Sequence, residues 1–281
     1  MYKRQGYTAL LNNSASNLTA VGYQALYNNT TGIQNTAVGY TALTGNTTGT
    51  YNTAVGYNAL ASNTIGTTNV AFGDNALTTV VSGNDNTAIG SAALLANTAS
   101  QCTAVGRLAL RFNTTGIQNT AVGYSAGSNI TSGSNLIVIG QSAAASSATA
   151  TNECTIGTSA TTSYRIYAAS WTNASDARDK KDIRDIDAGL DFISHLRPRY
   201  YTWEMRDGSR SGVEDIGFVA QEIKSAQEEA GINIPRLVVE DNPDQLMISP
   251  SLLIPVIVKA IKELSAQVDE LKAEIAKLKG K

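Results

Sequence analysis

Cysteine, histidine and proline are scarce in this chain of 281 residues, at two, one and five copies, and each shortage removes a class of explanation. Two cysteines cannot build a disulfide framework. A single histidine leaves only His195 for any serine–histidine pairing. Its setting, Phe192-Ile193-Ser194-His195-Leu196 before Pro198, reads as a helix end and points to a helix-terminal or core role. A long apolar run is also missing. The strongest, Leu252 to Ile261, is interrupted by Pro255 and Lys259 and is too short to cross a bilayer, so no membrane insertion is expected. Excess charge is missing as well: 21 basic and 23 acidic residues leave a net charge of −2, with no run of like charge to attract nucleic acid. The acids show no metal-ligand spacing, and no metal or cofactor is expected.

Charge is almost absent from the first 174 residues, which hold five basic residues (Lys3, Arg4, Arg107, Arg111, Arg165) and three acids (Asp74, Asp85, Glu153). Three isolated acids make no paired-carboxylate site, which argues against a glycan-cleaving enzyme in this part. Residues 175–281 carry sixteen basic and twenty acidic residues, so two domains meet near residue 174. The opening Met1-Tyr2-Lys3-Arg4 enters a repeat without an apolar signal region, as expected of cytoplasmic synthesis or, preferably, of a piece of a longer protein.

What fills the uncharged part is a repeat of the form N-T-A-V-G-Y-x-A-L followed by a polar N-x-T-T-G segment. Its anchor glycines run from Gly6 and Gly22 to Gly140 and Gly157 at intervals of 17 residues with two of 16, giving ten units. The residue before each glycine, from Val21 to Ile156, is a β-former, and the third residue after it, from Ala9 to Ala160, is always alanine. The next is leucine in seven units (Leu10 to Leu110), then Gly127, Ala144 and Thr161. A unit this short cannot close a core alone, so the spacing predicts a β-solenoid in which each strand pairs with its equivalent above and below. The alanine is expected where the coil is tight or neighbouring chains approach. The glycine is expected where backbone conformation or packing excludes a Cβ, and the Asn/Thr/Gly segments in turns. At about 4.8 Å per coil, nine intervals span about 43 Å.

These units resemble the head of trimeric autotransporter adhesins, which implies a β-roll packed three-fold about an axis. The Tyr column (Tyr23, Tyr40, Tyr57, Tyr124) and exposed Asn and Thr ladders are candidates for contact with a host-surface glycan or protein receptor. A structural stack is the stronger reading of a tyrosine recurring once per coil. Cys102 and Cys154 lie three coils apart, about 14 Å at that rise, so both are expected free, as small buried apolar residues.

The charged part opens with Ser175-Asp176-Ala177-Arg178-Asp179-Lys180-Lys181-Asp182-Ile183. Further on come Leu196 to Trp203, Asp215-Ile216-Gly217-Phe218-Val219-Ala220-Gln221-Glu222, and Leu252-Leu253 leading to Ala260-Ile261-Lys262-Glu263-Leu264. In that order these segments resemble the intramolecular chaperone domain behind phage endosialidases, tail spikes and neck appendages. The resemblance implies a domain that trimerises, aligns three shaft chains and then releases itself by autoproteolysis. It implies Ser175 as nucleophile, Lys180 as its base and a cut at Ser175–Asp176, with no external substrate. A serine needs a neighbouring base, and a lysine acts as one only when desolvation or a nearby cation, here Arg178 or Lys181, removes its proton. Attack by Ser175 on its own carbonyl needs a four-membered ring. Attack on the Ala174 carbonyl, or by a serine from a neighbouring chain, avoids it, and both routes stay open. The alternative for Ser175-Asp176 is a helix N-cap or turn.

Independent of any family, Ile254, Ile261, Val268 and Ile275 alternate with Ile257, Leu264, Leu271 and Leu278 at strict 3-4 spacing, the a and d seam of a parallel coiled coil. Branched a with leucine at d favours two strands, but a short helix attached to a three-fold shaft is not free to choose. The expected fold is a β-solenoid or β-roll trimeric shaft (1–163), a connector (164–174) and an α+β chaperone domain (175–281) ending in a coiled coil at 252–280. The expected protein is the distal part of a homotrimeric viral tail fibre or spike, made in the host cytoplasm and carried on the virion. A bacterial surface adhesin, or a fibre with a non-cutting chaperone domain, is the alternative.

Overall fold

The computed structural model describes residues 2–161, 175–206, 211–240 and 246–279. The segment Tyr164-Arg165-Ile166-Tyr167, the connector 164–174, Ala174 with its carbonyl and the last position of the proposed coil, residue 280, lie outside the described residues. The chain divides into two compact units, Met1–Thr161 and Thr162–Lys281.

The first unit is a β-solenoid. Strands β1 (Tyr2–Gln5), β2 (Leu18–Val21) and eight more from β3 (Thr36–Val38) to β10 (Cys154–Ile156) form one parallel sheet in sequence order. The register is that of the repeat: Thr36 faces Thr53, Ala37 faces Ala54 and Val38 faces Val55. Alternation along each strand turns the middle residue inward, so Ala20, Ala37 and Ala54 are fully buried. The alanines of the column three after each glycine, from Ala9 to Ala143, with the leucines that follow them, such as Ala42 and Leu43, fill the same interior, whereas Ala160 in the last unit is exposed. The alanine therefore faces its own coil's core rather than a neighbouring chain.

The glycine column carries both constraints expected of it. Gly56 has φ +139°, and a Cβ there would lie 2.4 Å from the carbonyl oxygen of Gly73 in the next coil. The corners are tight elsewhere too: in most coils three non-glycine residues hold positive φ, for example Thr41 (51°), Leu43 (52°) and Tyr51 (60°). Where the leucine column gives way, Gly127 holds the left-handed corner at 63°.

The asparagines depart from the sequence reading: ten of the twenty in the described shaft are buried rather than set in exposed ladders or turns. Two columns of them are buried inside the solenoid, one through Asn29, Asn46 and Asn63 and one through Asn35, Asn52 and Asn69. In the first, Asn46 Nδ2 donates to Asn29 Oδ1 (2.7 Å) and to the Gly49 carbonyl (3.0 Å), and Asn63 Nδ2 donates to Asn46 Oδ1 (2.9 Å). In the second, each Oδ1 accepts the backbone N–H one coil on, as Asn35 does from Asn52 at 2.8 Å. A side-chain amide has donors and acceptors to satisfy two neighbours at once, so buried polarity becomes a ladder. Val80 interrupts the first column, and Asn63 Oδ1 is left without a partner.

Cys102 takes a place in the second asparagine column. It is fully buried, its N–H donates to Asn86 Oδ1 (3.0 Å), and burial pushes its thiol above the usual range. Both cysteines are free, but Cys154 is exposed, contrary to the expectation of two buried thiols. Tyr7, Tyr23, Tyr40 and Tyr57 stack with centroids 4.9–5.8 Å apart and ring planes within 13°. Tyr124 stands apart from this stack, under the guanidinium of Arg107 at 5.7 Å.

The second unit is a small α+β region. It comprises α1 (Leu190–His195), the antiparallel pair β11 (Arg199–Glu204) and β12 (Ser211–Gly217), α2 (Ala220–Glu229), the short pair β13 (Val238–Val239) and β14 (Met247–Ile248), and α3 (Leu253–Lys279). Its described core is seven residues, including Phe192, Ile223, Leu237, Leu253 and Val256. Helix α3 is 27 residues long and buries only Leu253, Val256 and Ala260. The residues at the a and d positions are all exposed, from 39% at Val268 to 68% at Leu278.

Candidate functional site

Asp176 organises the first described residues of the second unit. Its Oδ1 accepts the Arg178 backbone N–H (2.9 Å), capping a single 3-10 turn at Ala177–Asp179. Its carboxylate also holds the Arg178 guanidinium through Nη2 to Oδ2 at 2.6 Å and Nε at 3.1 Å. That side-chain hydrogen bond holds the Asp176 carboxyl below, and the Arg178 guanidinium above, their ordinary ranges. Arg178 is thus neutralised by Asp176 rather than left as a bare cation for Lys180.

The turn reverses the chain so that Lys180 returns to Ser175, where Nζ donates to Oγ at 2.6 Å. Serine and lysine five residues apart are brought into hydrogen-bond contact by a capped turn between them. Both side chains are exposed, as are Asp176, Arg178 and Lys181. Lys181 makes neither of these contacts. The turn reading of Asp176 and the contact of Ser175 with Lys180 hold together, because the first creates the second.

Chemically, a hydroxyl in contact with an amine can become a nucleophile when the amine is neutral, which needs desolvation. Nothing within a single described unit covers the pair: residues 175–187 are exposed throughout. Among the described residues no cluster of His, Cys, Asp or Glu suits a metal, and no helix is long and apolar enough to cross a membrane.

Two links further along tie the second unit together and were missed in the sequence. Lys259 Nζ donates to the carbonyls of Ile186 (2.7 Å) and Asp187 (2.9 Å), and Glu263 Oε2 accepts the Leu190 N–H at 2.7 Å. Helix α3 thereby grips both sides of Gly189, where a Cβ would lie 2.3 Å from Glu263 Oε2. The i, i+4 spacing of Lys259 and Glu263 was visible, but their partners lie about seventy residues away. The second link joins two of the quoted segments: Arg199 and Glu222 form a two-point ion pair at 2.6 and 3.0 Å. Their mutual hydrogen bond lowers the Glu222 carboxyl and raises the Arg199 guanidinium. His195 closes α1, its Nδ1 lying 2.8 Å from the Asp191 carbonyl, away from the Ser175 contact network.

Residues 175–232 match the family model of a peptidase-class family described as the chaperone of endosialidase. The match begins at Ser175 and covers three of the four quoted segments, while Leu252–Leu264 lies beyond it. No curated protein and no solved structure matches the chain. A β-solenoid followed by residues that match the chaperone-of-endosialidase model fits a protein of the phage tail fibre or spike type.

Proposed function

We propose that this chain is the distal part of a homotrimeric phage-type tail fibre or spike. Its second unit trimerises, sets the register of the shaft and then cuts itself free between Ser175 and Asp176. The observation that carries the reading is the 2.6 Å contact of Lys180 Nζ with Ser175 Oγ at the first residue of the family match. The fibre is made in the host cytoplasm, carried on the virion and directed to a host-surface glycan or protein.

The shaft explains the need for such a device. Its Thr, Ala and Val columns repeat at every coil, so a slip by one coil leaves nearly the same residues paired, and register must come from outside the repeat. The exposed a and d residues of α3 supply a seam for three helices. In the cut, Ser175 Oγ attacks a carbonyl carbon, Lys180 Nζ takes the hydroxyl proton and the peptide nitrogen leaves with a proton. Water then hydrolyses the resulting ester. A serine acting across chains can open the Ser175–Asp176 bond without a four-membered ring, whereas attack on the preceding carbonyl releases a fragment ending at 174.

Intact-mass measurement of the wild type beside Ser175→Ala and Lys180→Ala tests this. A wild-type fragment ending at 175, absent from both variants, is the expected result, and an end at 174 assigns the attack to the same chain. The exposure of Ser175 and Lys180 in one chain favours a second reading, a trimerising domain that does not cut. A full-length mass in all three proteins selects it.

A further inference from the structure

From β2 to β10 one face of the solenoid carries no charge. On the nine strands β2 to β10 the residues flanking the inward one point outward, and none of these eighteen positions is charged. The column before the glycines is Val, Ile or Phe throughout, and the other is mostly threonine. Phe72 is 57% exposed and Ile137 45%. Among the described strands charge enters these two columns only at the end of the stack, where Lys3 of β1 is in register with Thr19, while Asp74, Asp85 and Arg107 belong to other columns. A long, flat, apolar sheet face open to water is an aggregation hazard that monomeric proteins interrupt with charge.

Periodicity identifies the occupant. A partner must present apolar columns at the same rise of about 4.8 Å over about 38 Å of length. Another copy of this chain does so by construction. The strand face, about 10 Å wide, supplies about half of the ~800 Å² that a stable contact buries per partner, and the stacked tyrosines at the next corner widen it. Those tyrosines present ring edges, because their faces cover one another, so the column is a rim rather than a platform for a sugar.

We propose that this Thr/Val face is the surface through which three copies of the chain pack in the shaft, with the Cys154 thiols of neighbouring copies brought together. The proposal rests on the homotrimer reading and adds to it which face is buried. Cys154 is exposed on the outward threonine column of β10, in register with Ile137, and so reports on the contact. Cys102, fully buried, does not compete.

The full chain carrying Ser175→Ala, so that it stays whole, is measured by analytical ultracentrifugation and then treated with diamide, which takes up two electrons and two protons as two thiols join. The expected result is a trimeric mass and disulfide-linked pairs whose yield does not change on tenfold dilution and which disappear in Cys154→Ser. In a second variant, Val55→Asp with Val122→Asp, the trimer's melting temperature falls while circular dichroism keeps its β signal. A trimeric mass with no linked pairs and an unchanged melting temperature overturns the buried face and leaves the trimer standing. A monomeric mass overturns both.

Discussion

The two units solve the same problem, a short chain with little to bury, in opposite ways. The solenoid builds a long interior from small residues, with alanine and leucine alternating against asparagine ladders, and each coil is held by its neighbours. The second unit gathers a described core cluster of seven residues from several elements and leaves a 27-residue helix largely in water. The first distributes its stability along an axis. The second concentrates it at a point and keeps apolar surface in reserve. A defect should therefore stay local in the shaft and spread through the whole of the second unit.

The sharpest way to break that contrast is at Phe192, the largest fully buried side chain of the second unit. Phe192→Ala is expected to remove about 3–5 kcal/mol, enough to unfold a core of this size. Thermal unfolding should lose the second unit's transition altogether and retain the shaft's. Loss of both transitions would show that the units do not differ in this way. In the shaft the counterpart is Gly56→Ala, which forces a Cβ onto the Gly73 carbonyl at a φ that alanine avoids. About 3 kcal/mol is expected. Hydrogen exchange should rise in the coils around Gly56 and Gly73 and stay unchanged near Gly140.

A pair of substitutions tests whether the asparagine columns hold the coils together. Asn46→Val removes the acceptor of Asn63 Nδ2 and the donor to Asn29 Oδ1 among fully buried residues, so about 2 kcal/mol should be lost. Val80→Asn does the reverse. It offers a donor to the unpartnered Asn63 Oδ1, and should lie within about 1 kcal/mol of the wild type although it buries an amide. Equal losses from both, read by chemical denaturation, would mean that the ladder contributes no more than any buried amide.

Much of the solenoid was legible because repetition tests every position many times. An alanine in ten successive units at one place marks a crowded position, in a tight coil or between chains, and a glycine column with Val before it marks strand and corner together. The asparagines misled for a physical reason. A single asparagine reads as a turn residue, and only stacking gives its amide partners above and below, which turns the most turn-like residue into core. The Ser175–Lys180 contact was inferred from family resemblance, but the capped turn that makes it was weighed as the competing explanation. The Lys259 and Glu263 grip was illegible because one spacing on a helix does not say what lies across from it.

The smallest effect concerns strain that the repeat carries everywhere. Thr68 is exposed and β-branched, yet holds φ 59° at the corner before strand β5 (Val70–Phe72). The two side-chain branches at its Cβ crowd the backbone in that conformation, while glycine enters it freely. Its N–H donates to the Thr50 carbonyl at 3.0 Å, and glycine keeps that bond. Thr68→Gly should stabilise the shaft by about 1 kcal/mol less the extra freedom glycine gives the unfolded chain, a net gain of a few tenths. The shaft's melting temperature should rise slightly and the second unit's should not move. A fall instead would show that the Thr68 side chain outweighs the corner strain, and that this solenoid accepts left-handed corners because the side chains on them contribute more than the backbone loses.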